Sequence, residues 1–579
     1  PQASTTSSPV DCVPIAHSAS RCSYYRRPEA ATTLTAPASS SGVLAHPPHL
    51  PIASRPLLIA ALAVALLGAR LLGAHFVAFF QLDEVSLAAG VAALARDSIG
   101  GVYRYGPQVG YYRLIEGLTL LLGGDLRSIP IIMITLSAVA GTVIPVCGLV
   151  AFPDLLTRAE RWVLAGLLAV NPILWMSSTY GNTAMPSTAL VVLAVTILSN
   201  LPGRAMEVAA LALYGAAVLV RADAILAFPV VALLLHVRHG FRPAMLYRIA
   251  PLLGTLAGVY VVLFLTDPQM ASTVQAVTTH LTNPAFPTRF WDYLLWSTSP
   301  FILVFAVLGA RELLTGRRRL LGYVAAWGLP FFGFYFGSTT SPRYFVSTAF
   351  PVALCSAVGF VALASLVRPS RWRLTIAALA LLATIHLFVG LGHFTPGSLR
   401  NLLTQSQFET QIGPLWTGAF LYKSYFTPRF LGRSVRQPGF GKLNGTQHAL
   451  DTSLAQVASG EARGRTVAVL LGGWNGHVFH YYAHARGAEY ISRKPGNPFN
   501  TETWMTLGGA RLMSIRWQSP EFRTIQRLPV TAGDQVWVLA GDSKSEGMIR
   551  DQLPRELTVV AAGDTTGPLG RYQVVRSAP

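Results

Sequence analysis

The chain reads as a polytopic α-helical membrane protein carrying a C-terminal extracytoplasmic α/β domain. Three observations predict this. Of 579 residues, 52% are hydrophobic and only 12% are charged, about half the charge of an ordinary soluble chain. Apolar runs long enough to cross ~30 Å of hydrocarbon recur through the first two-thirds of the sequence. After about residue 393 the period changes, and short β-rich runs alternate with helical stretches.

Residues 1–55 are rich in Ser, Thr, Ala and Pro and have little to bury, so they read as a disordered tail. Arg21, Arg26 and Arg27 with few acids leave an organelle transit peptide open; the apolar stretch comes too late for a secretory signal. From residue 56 to 392 we expect a membrane domain of about eleven helices. Its apolar spans lie near 57–80, 129–151, 162–178, 185–200, 206–220, 224–237, 249–266, 292–310, 320–337, 344–367 and 374–392. Basic residues cluster in alternate loops: Arg158 and Arg161, Arg204, Arg238 with Arg242 and Arg248, Arg311 with Arg317 to Arg319, and Arg368 with Arg371 and Arg373. Placing them in the cytoplasm puts the N-terminus inside and the loops 81–128, 179–184, 267–291 and 338–343 outside. A bacterial inner membrane suits this pattern. The net charge of +19 is then an orientation signal, and with no RNA- or DNA-binding module visible we expect no nucleic-acid partner.

The first outer loop holds more pattern than a connector needs. An amphipathic repeat over 85–97 and a second over 111–122 predict helices lying in the membrane interface. Tyr103, Tyr105, Tyr111 and Tyr112 suit an interfacial aromatic belt. Residues 393–450 read as a polar connector. In 451–579, strands are expected at 466–471, about 490–491, 535–540, 557–561 and 571–575, with helices through His484 and around 544–553, in a three-layered α/β domain.

Cys147 and Cys355 sit inside apolar runs and read as small buried thiols. Cys12 and Cys22 lie in the tail, and nothing requires them to pair. His477, His480 and His484 would line one helical face, but without a carboxylate or thiol beside them a core or surface helix is the better reading than a metal site.

The residues that could do chemistry start with Asp83-Glu84, an acidic pair just outside the first apolar run. Such a pair costs free energy unless it meets water or a partner. Three further patches follow: Tyr105-Gly-Pro-Gln-Val-Gly-Tyr-Tyr112, Val220-Arg221-Ala-Asp223, and Ser341-Pro-Arg343-Tyr344 followed by Phe350-Pro351. In this order and topology, the four resemble the GT-C superfamily of membrane glycosyltransferases. The nearest patterns are the protein O-mannosyltransferases and the bacterial aminoarabinose transferase of lipid A. The resemblance covers 56–392 by architecture.

The resemblance implies a polyprenyl-phosphate sugar donor, a catalytic carboxylate in the first outer loop and an extracytoplasmic acceptor, whether lipid, glycan or protein. Membrane lipids are the other expected partners. The family often carries a further acid at an outer helix end, where this chain has Ser178-Thr-Tyr-Gly-Asn182. That departure leaves sugar specificity and a divalent cation open, and no other cofactor is implied.

Chemistry assigns the parts in the same way. Asp83 would take the proton from the acceptor hydroxyl, with Glu84 as its understudy or as the holder of a loop or cation. Arg343 would stabilise the charge growing on the departing phosphate, with Arg221 and Arg104 behind it. Tyr344, Asp223, Tyr105, Tyr111 and Tyr112 complete the candidate binding set. A phosphodiester leaving group needs no proton, so direct inverting displacement follows. Plainer readings stand beside these: a solvated helix-end acid at Asp83, a snorkelling anchor at Arg343, a local ion pair for Arg221 with Asp223, and interface anchors at Tyr111 and Tyr112. A secondary transporter would instead bury charge at the bilayer midplane on broken helices. A membrane scaffold would leave the acidic pair without a role.

Overall fold

The computed structural model describes residues 54–76, 87–92, 108–240, 243–266, 290, 294, 298, 300–338, 342–366, 440–471, 475–493, 502–516, 528–539, 549–562 and 569–577. Everything below concerns the compact unit from Pro56 onward. The expected tail, the span 374–392 and most of the connector lie outside the described residues, as do Asp83, Glu84, Arg104 and Tyr105.

The membrane part is helical throughout. Its helices are α1 (Ser54–Phe76), α2 (Val109–Leu121), α3 (Ile129–Val150), α4 (Arg158–Ala169), α5 (Pro172–Ser177), α6 (Ala184–Asn200), α7 (Arg204–Val220), α8 (Phe228–His239), α9 (Pro243–Thr266), α10 (Pro300–Gly316), α11 (Arg318–Ser338) and α12 (Ala349–Leu366). Short 3-10 turns at Leu126–Ser128, Ala222–Ala227 and Pro342–Thr348 lead into α3, α8 and α12. Among the described residues, four stretches are long and apolar enough to cross a membrane: Leu126–Val150, Ala222–His239, Tyr247–Thr266 and Tyr344–Leu366.

One expected span is corrected. The run 162–178 is not a single helix: it breaks between α4 and α5. Pro172 cannot continue the ladder of the preceding helix, and the Asn171 Oδ1 accepts from the backbone N–H groups of Ile173 and Leu174 at 3.1 and 3.3 Å, starting a new one. At 12 residues, α4 rises only about 18 Å.

The two ends of the bundle differ. At one end, Thr157 and Glu160 form a capping box that opens α4, and Arg317 reaches Glu160 Oε1 at 2.7 Å. Beside them Glu207 is met by His239 at 2.8 Å, by Arg238 at 3.5 Å and by Arg248. These are the loops whose positive charge the sequence assigns to the cytoplasm. At the other end lies the C-terminal domain.

That domain adds α13 (Phe440–Ala458) and α14 (Asn475–Ala485) to a seven-stranded sheet. The strands are β1 (Thr466–Leu471), β2 (Glu489–Arg493), β3 (Thr503–Leu507), β4 (Ala510–Arg516), β5 (Gln535–Leu539), β6 (Leu557–Ala561) and β7 (Gly570–Arg576), in the spatial order β2-β3-β4-β1-β5-β7-β6. Central β1 runs parallel to β4 and β5, and the remaining pairs are antiparallel. Its Thr-Val-Ala-Val-Leu-Leu run has no polar alternation because both faces are covered. Val467, Val469 and Leu471 pack with Leu450, Leu454 and Phe479 of the helices; Ala468 and Leu470 pack with Val536, Val538 and Ile549 behind. Strands β3 and β4 are additions to the sequence reading.

The first of those cores runs on into the membrane part. It takes in Leu87 to Ala92, Tyr111, Tyr112 and Ile115 of α2, and Leu126, Ile129 and Met133 at the start of α3. The Tyr481 hydroxyl of α14 donates to the Leu126 carbonyl at 3.2 Å within it. Tyr111 and Tyr112 are therefore not an interfacial belt. Both are buried, at 0% and 6% exposure, because the apolar face of α2 meets protein, packing on α3 and α7 within the core shared with the C-terminal helices.

Candidate functional site

At the outer end of the bundle α7 stops at Val220. Arg221 is extended (φ −157°, ψ 115°), so the chain leaves the helix for the turn Ala222–Ala227. The carbonyls such a break frees must find donors. The Tyr260 hydroxyl donates to Val218 at 2.7 Å, Ser187 to Ala217 at 3.0 Å and Tyr214 to Ile225 at 3.1 Å. The break is thus a braced feature that presents Arg221 and Asp223 side by side.

Arg221 Nε donates to Asp223 Oδ1 at 2.6 Å, with both side chains almost covered. The Tyr335 hydroxyl, near the end of α11, donates to Asp223 Oδ2 at 2.8 Å. The guanidinium lies over the Tyr344 ring, 5.0 Å from its centre, a cation–π contact. The Tyr335 and Tyr344 rings are 5.5 Å apart. Tyr344 belongs to the turn Pro342–Thr348, which α6 holds through Thr188 and Ser347 at 3.4 Å. Arg343 precedes it in that turn; its side chain lies outside the described residues.

The Pro/aromatic segment reaches the same place. A Cβ added to Gly110 in α2 would lie 2.7 Å from the Leu219 carbonyl carbon. Only glycine lets the first turn of α2 rest on the last turn of α7, two residues before Arg221. Segments 108–112, 220–223 and 342–344, far apart in sequence, therefore adjoin at one end of the bundle.

Asn182, where the family pattern has an acid, is part of the scaffold. Its Nδ2 donates to the carbonyls of Ser177 and Tyr180 at 2.5 and 3.0 Å, and its Oδ1 accepts from the Met185 N–H at 2.9 Å. An ionised aspartate could keep only the accepting half of that set.

One charged residue in this region escaped the sequence reading. Arg70 of α1 is wholly buried. Its Nη1 donates to Ser178 Oγ at 3.2 Å, and its guanidinium carbon lies 5.4 Å from the Trp175 ring centre. The signal was an arginine inside an apolar run, and an ionisable residue there marks a functional candidate by default.

The histidine face on α14 forms as its spacing predicts, and all three side chains are buried. His480 shares hydrogen bonds with the Tyr490 hydroxyl at 3.0 Å and with Ser514 at 3.3 Å, while His484 Nδ1 donates to the Ala488 carbonyl at 2.9 Å. Burial, reinforced by the neighbouring positive Arg516, pushes His477 down to about 3. Among the described residues no group of three or more His, Cys, Asp or Glu could hold a metal ion.

No family model and no curated protein sequence matches the chain. Solved structures do. The structure of ArnT from Cupriavidus metallidurans bound to undecaprenyl phosphate superposes with a TM-score of 0.56 at 12% identity, over 89% of this chain and 97% of that one. ArnT from the same organism in the apo state gives a TM-score of 0.53 at 11% identity, with the same coverage. The likeness spans membrane part and C-terminal sheet together, and by it the chain has the fold of ArnT.

Proposed function

We propose that this protein is a glycosyltransferase that moves a sugar from a polyprenyl-phosphate donor to an extracytoplasmic acceptor, by displacement with inversion. The observation that carries the reading is the meeting of 108–112, Arg221–Asp223–Tyr335 and the turn of Arg343 and Tyr344 at the bundle end beneath the C-terminal domain. Three of the four motif patches meet there. ArnT, of like fold, binds undecaprenyl phosphate. The assignment includes a polytopic membrane domain with a cytoplasmic N-terminus.

In this reading Asp83 accepts the proton of the acceptor hydroxyl, a step worth about 10²–10⁴ in rate, with Glu84 beside it. The hydroxyl oxygen attacks the anomeric carbon as the bond to phosphate breaks, and the phosphate leaves as an anion that needs no proton. Arg343 holds that anion through its planar fork. Arg221 has a different task from the one its sequence suggests. Its charge is balanced by Asp223, so it acts through Tyr344, fixing the turn that carries Arg343. The acceptor, whether lipid, glycan or protein, enters under the C-terminal domain.

Reconstitution in proteoliposomes with a labelled polyprenyl-phosphate sugar tests this. Asp83→Asn should insert normally and lose transfer by at least about 10². Transfer at the wild-type rate would take Asp83 out of the mechanism, and energised solute uptake by the wild type would replace the enzyme with a carrier.

A further inference from the structure

Arg70 makes α1 unusual. From Pro56 to Leu71 it is the only buried side chain of the helix, while Val64 and Leu71 are 72% and 39% exposed. Its surroundings come from three elements. Gly141 of α3 leaves the space: an added Cβ there would sit 2.5 Å from Ser178 Cβ and 3.1 Å from Arg70 Nε. Ser178 donates its own proton to the Trp175 carbonyl at 2.7 Å, so its oxygen is free to accept from Arg70 Nη1.

The remaining edge of the guanidinium is unpaired. Nε and Nη2 are buried and have no hydrogen-bond acceptor among the described residues. These two N–H groups point the same way and form the fork that grips an oxyanion at two oxygens. Arg486 uses this edge on Asp451, at 2.8 and 2.6 Å. At Arg70 no carboxylate takes it among the described residues. The Ser177 hydroxyl, one residue before Ser178, is likewise buried without a partner. A desolvated guanidinium with its best edge idle is costly unless something binds there. Its neighbours on α1 are apolar and exposed, so the anion has to come from the bilayer with its own hydrocarbon.

We infer that Arg70, with Ser178 orienting it, is the seat of a lipid-borne phosphate, two of whose oxygens fill the Nε–Nη2 edge. The site is distinct from the Arg343 clamp proposed above. Its loop, through Asn182 and Met185, and the Tyr344 turn, through Thr188 and Ser347, both tie to the start of α6, about one helical turn apart. An isoprenoid carrier and a glycerophospholipid both offer this phosphate.

Native mass spectrometry of the purified full chain, titrated with a polyprenyl monophosphate, the matching polyprenol or phosphatidylglycerol, tests the seat. The wild type should hold one or both phosphates at least about tenfold tighter than the polyprenol, and whichever phosphate binds better names the source. Arg70→Gln should lose about tenfold and Ser178→Ala a few-fold. Polyprenol binding as tightly as the phosphates would overturn the inference. So would unchanged phosphate affinity in a monodisperse Arg70→Gln protein. Should Arg70→Gln fail to fold, Gly141→Ala retains the arginine and crowds it. A loss of phosphate affinity then supports the seat, and wild-type affinity in both Gly141→Ala and Ser178→Ala overturns it.

Discussion

The two ends of the membrane bundle handle charge differently. At the end assigned to the cytoplasm two buried acids are met by bases: Glu207 by Arg238, His239 and Arg248, and Glu160 by Arg317. These groups cap helices and join neighbouring ones, which is structural work. At the opposite end Asp223 has one cation and one hydroxyl, both within a helix break, and Arg70 has no acid among the described residues. Interchangeable partners mark a scaffold. Single, saturated or half-filled partners, set where backbone is irregular, mark a site.

The largest effect should come from cutting the outer pair. Arg221→Leu leaves Asp223 buried with only Tyr335, and removing one member of a buried pair typically costs about 3–5 kcal/mol. Melting in detergent should drop accordingly, and transfer should vanish as the Tyr344 turn loosens. The double variant Arg221→Leu with Asp223→Leu should recover much of the stability but none of the transfer. Recovery of both would mean that the outer pair is scaffold like the inner ones, and the contrast between the ends would fail.

Glu207→Gln probes the other side of the comparison. It leaves His239, Arg238 and Arg248 facing one another without their shared acid, at a cost of about 2 kcal/mol, within the range for a bond to a charged group. Transfer per folded molecule should stay at the wild-type value. A fall in the turnover of the folded fraction would tie the inner network to catalysis.

How much of this was legible follows from which forces act locally. Helix limits such as Ile129–Val150 and Ala184–Asn200 are set by apolar runs with polar breaks, and the sequence exposes both. The Arg221–Asp223 step was visible too, since two charges two residues apart at a span end have few alternatives to pairing. The hairpin of β3 and β4 was passed over although Gly508-Gly509, at φ 58° and 81°, is the dipeptide that a tight hairpin turn requires. The burial of Tyr111 and Tyr112 could not be read, because it depends on α2 packing against α3 and α7 and on a core shared with residues more than three hundred positions downstream. Arg70 was hidden for the opposite reason: its run is so apolar that one arginine does not disturb the pattern. Its meaning lies in Gly141 and Ser178, which no local period connects to it.

Acid should separate the domain above the membrane from both ends. His477 has a folded value near 3 because burial, with Arg516 behind it, disfavours its charged form. The unfolded chain titrates at the ordinary value of about 6.5. Between those values the unfolded state binds the extra proton, so stability is full above about 6.5 and falls as pH drops through the window toward 3. The loss is on the order of a few kcal/mol for this one group. Near-ultraviolet dichroism of the whole protein should show an acid-sensitive transition that His477→Gln weakens. An identical acid limb in the variant would assign the sensitivity elsewhere.

The smallest effect is also the sharpest test of how the outer site is built. Tyr335→Phe keeps the ring that lies 5.5 Å from Tyr344 and removes only the hydroxyl that fills Asp223 Oδ2. One hydrogen bond to a buried carboxylate is worth about 1.5–3 kcal/mol, and Arg221 remains to hold the other oxygen. If Asp223 serves to aim Arg221 at Tyr344, the loosened carboxylate should lower the rate of transfer a few-fold while donor KM stays near the wild-type value. If the hydroxyl only satisfies a buried acid, melting temperature should fall with turnover of the folded enzyme unchanged. A rate loss without the matching loss of stability would separate aiming from mere satisfaction, because Glu207, held by three basic groups, has no equivalent of a single hydroxyl whose removal leaves the ion pair intact.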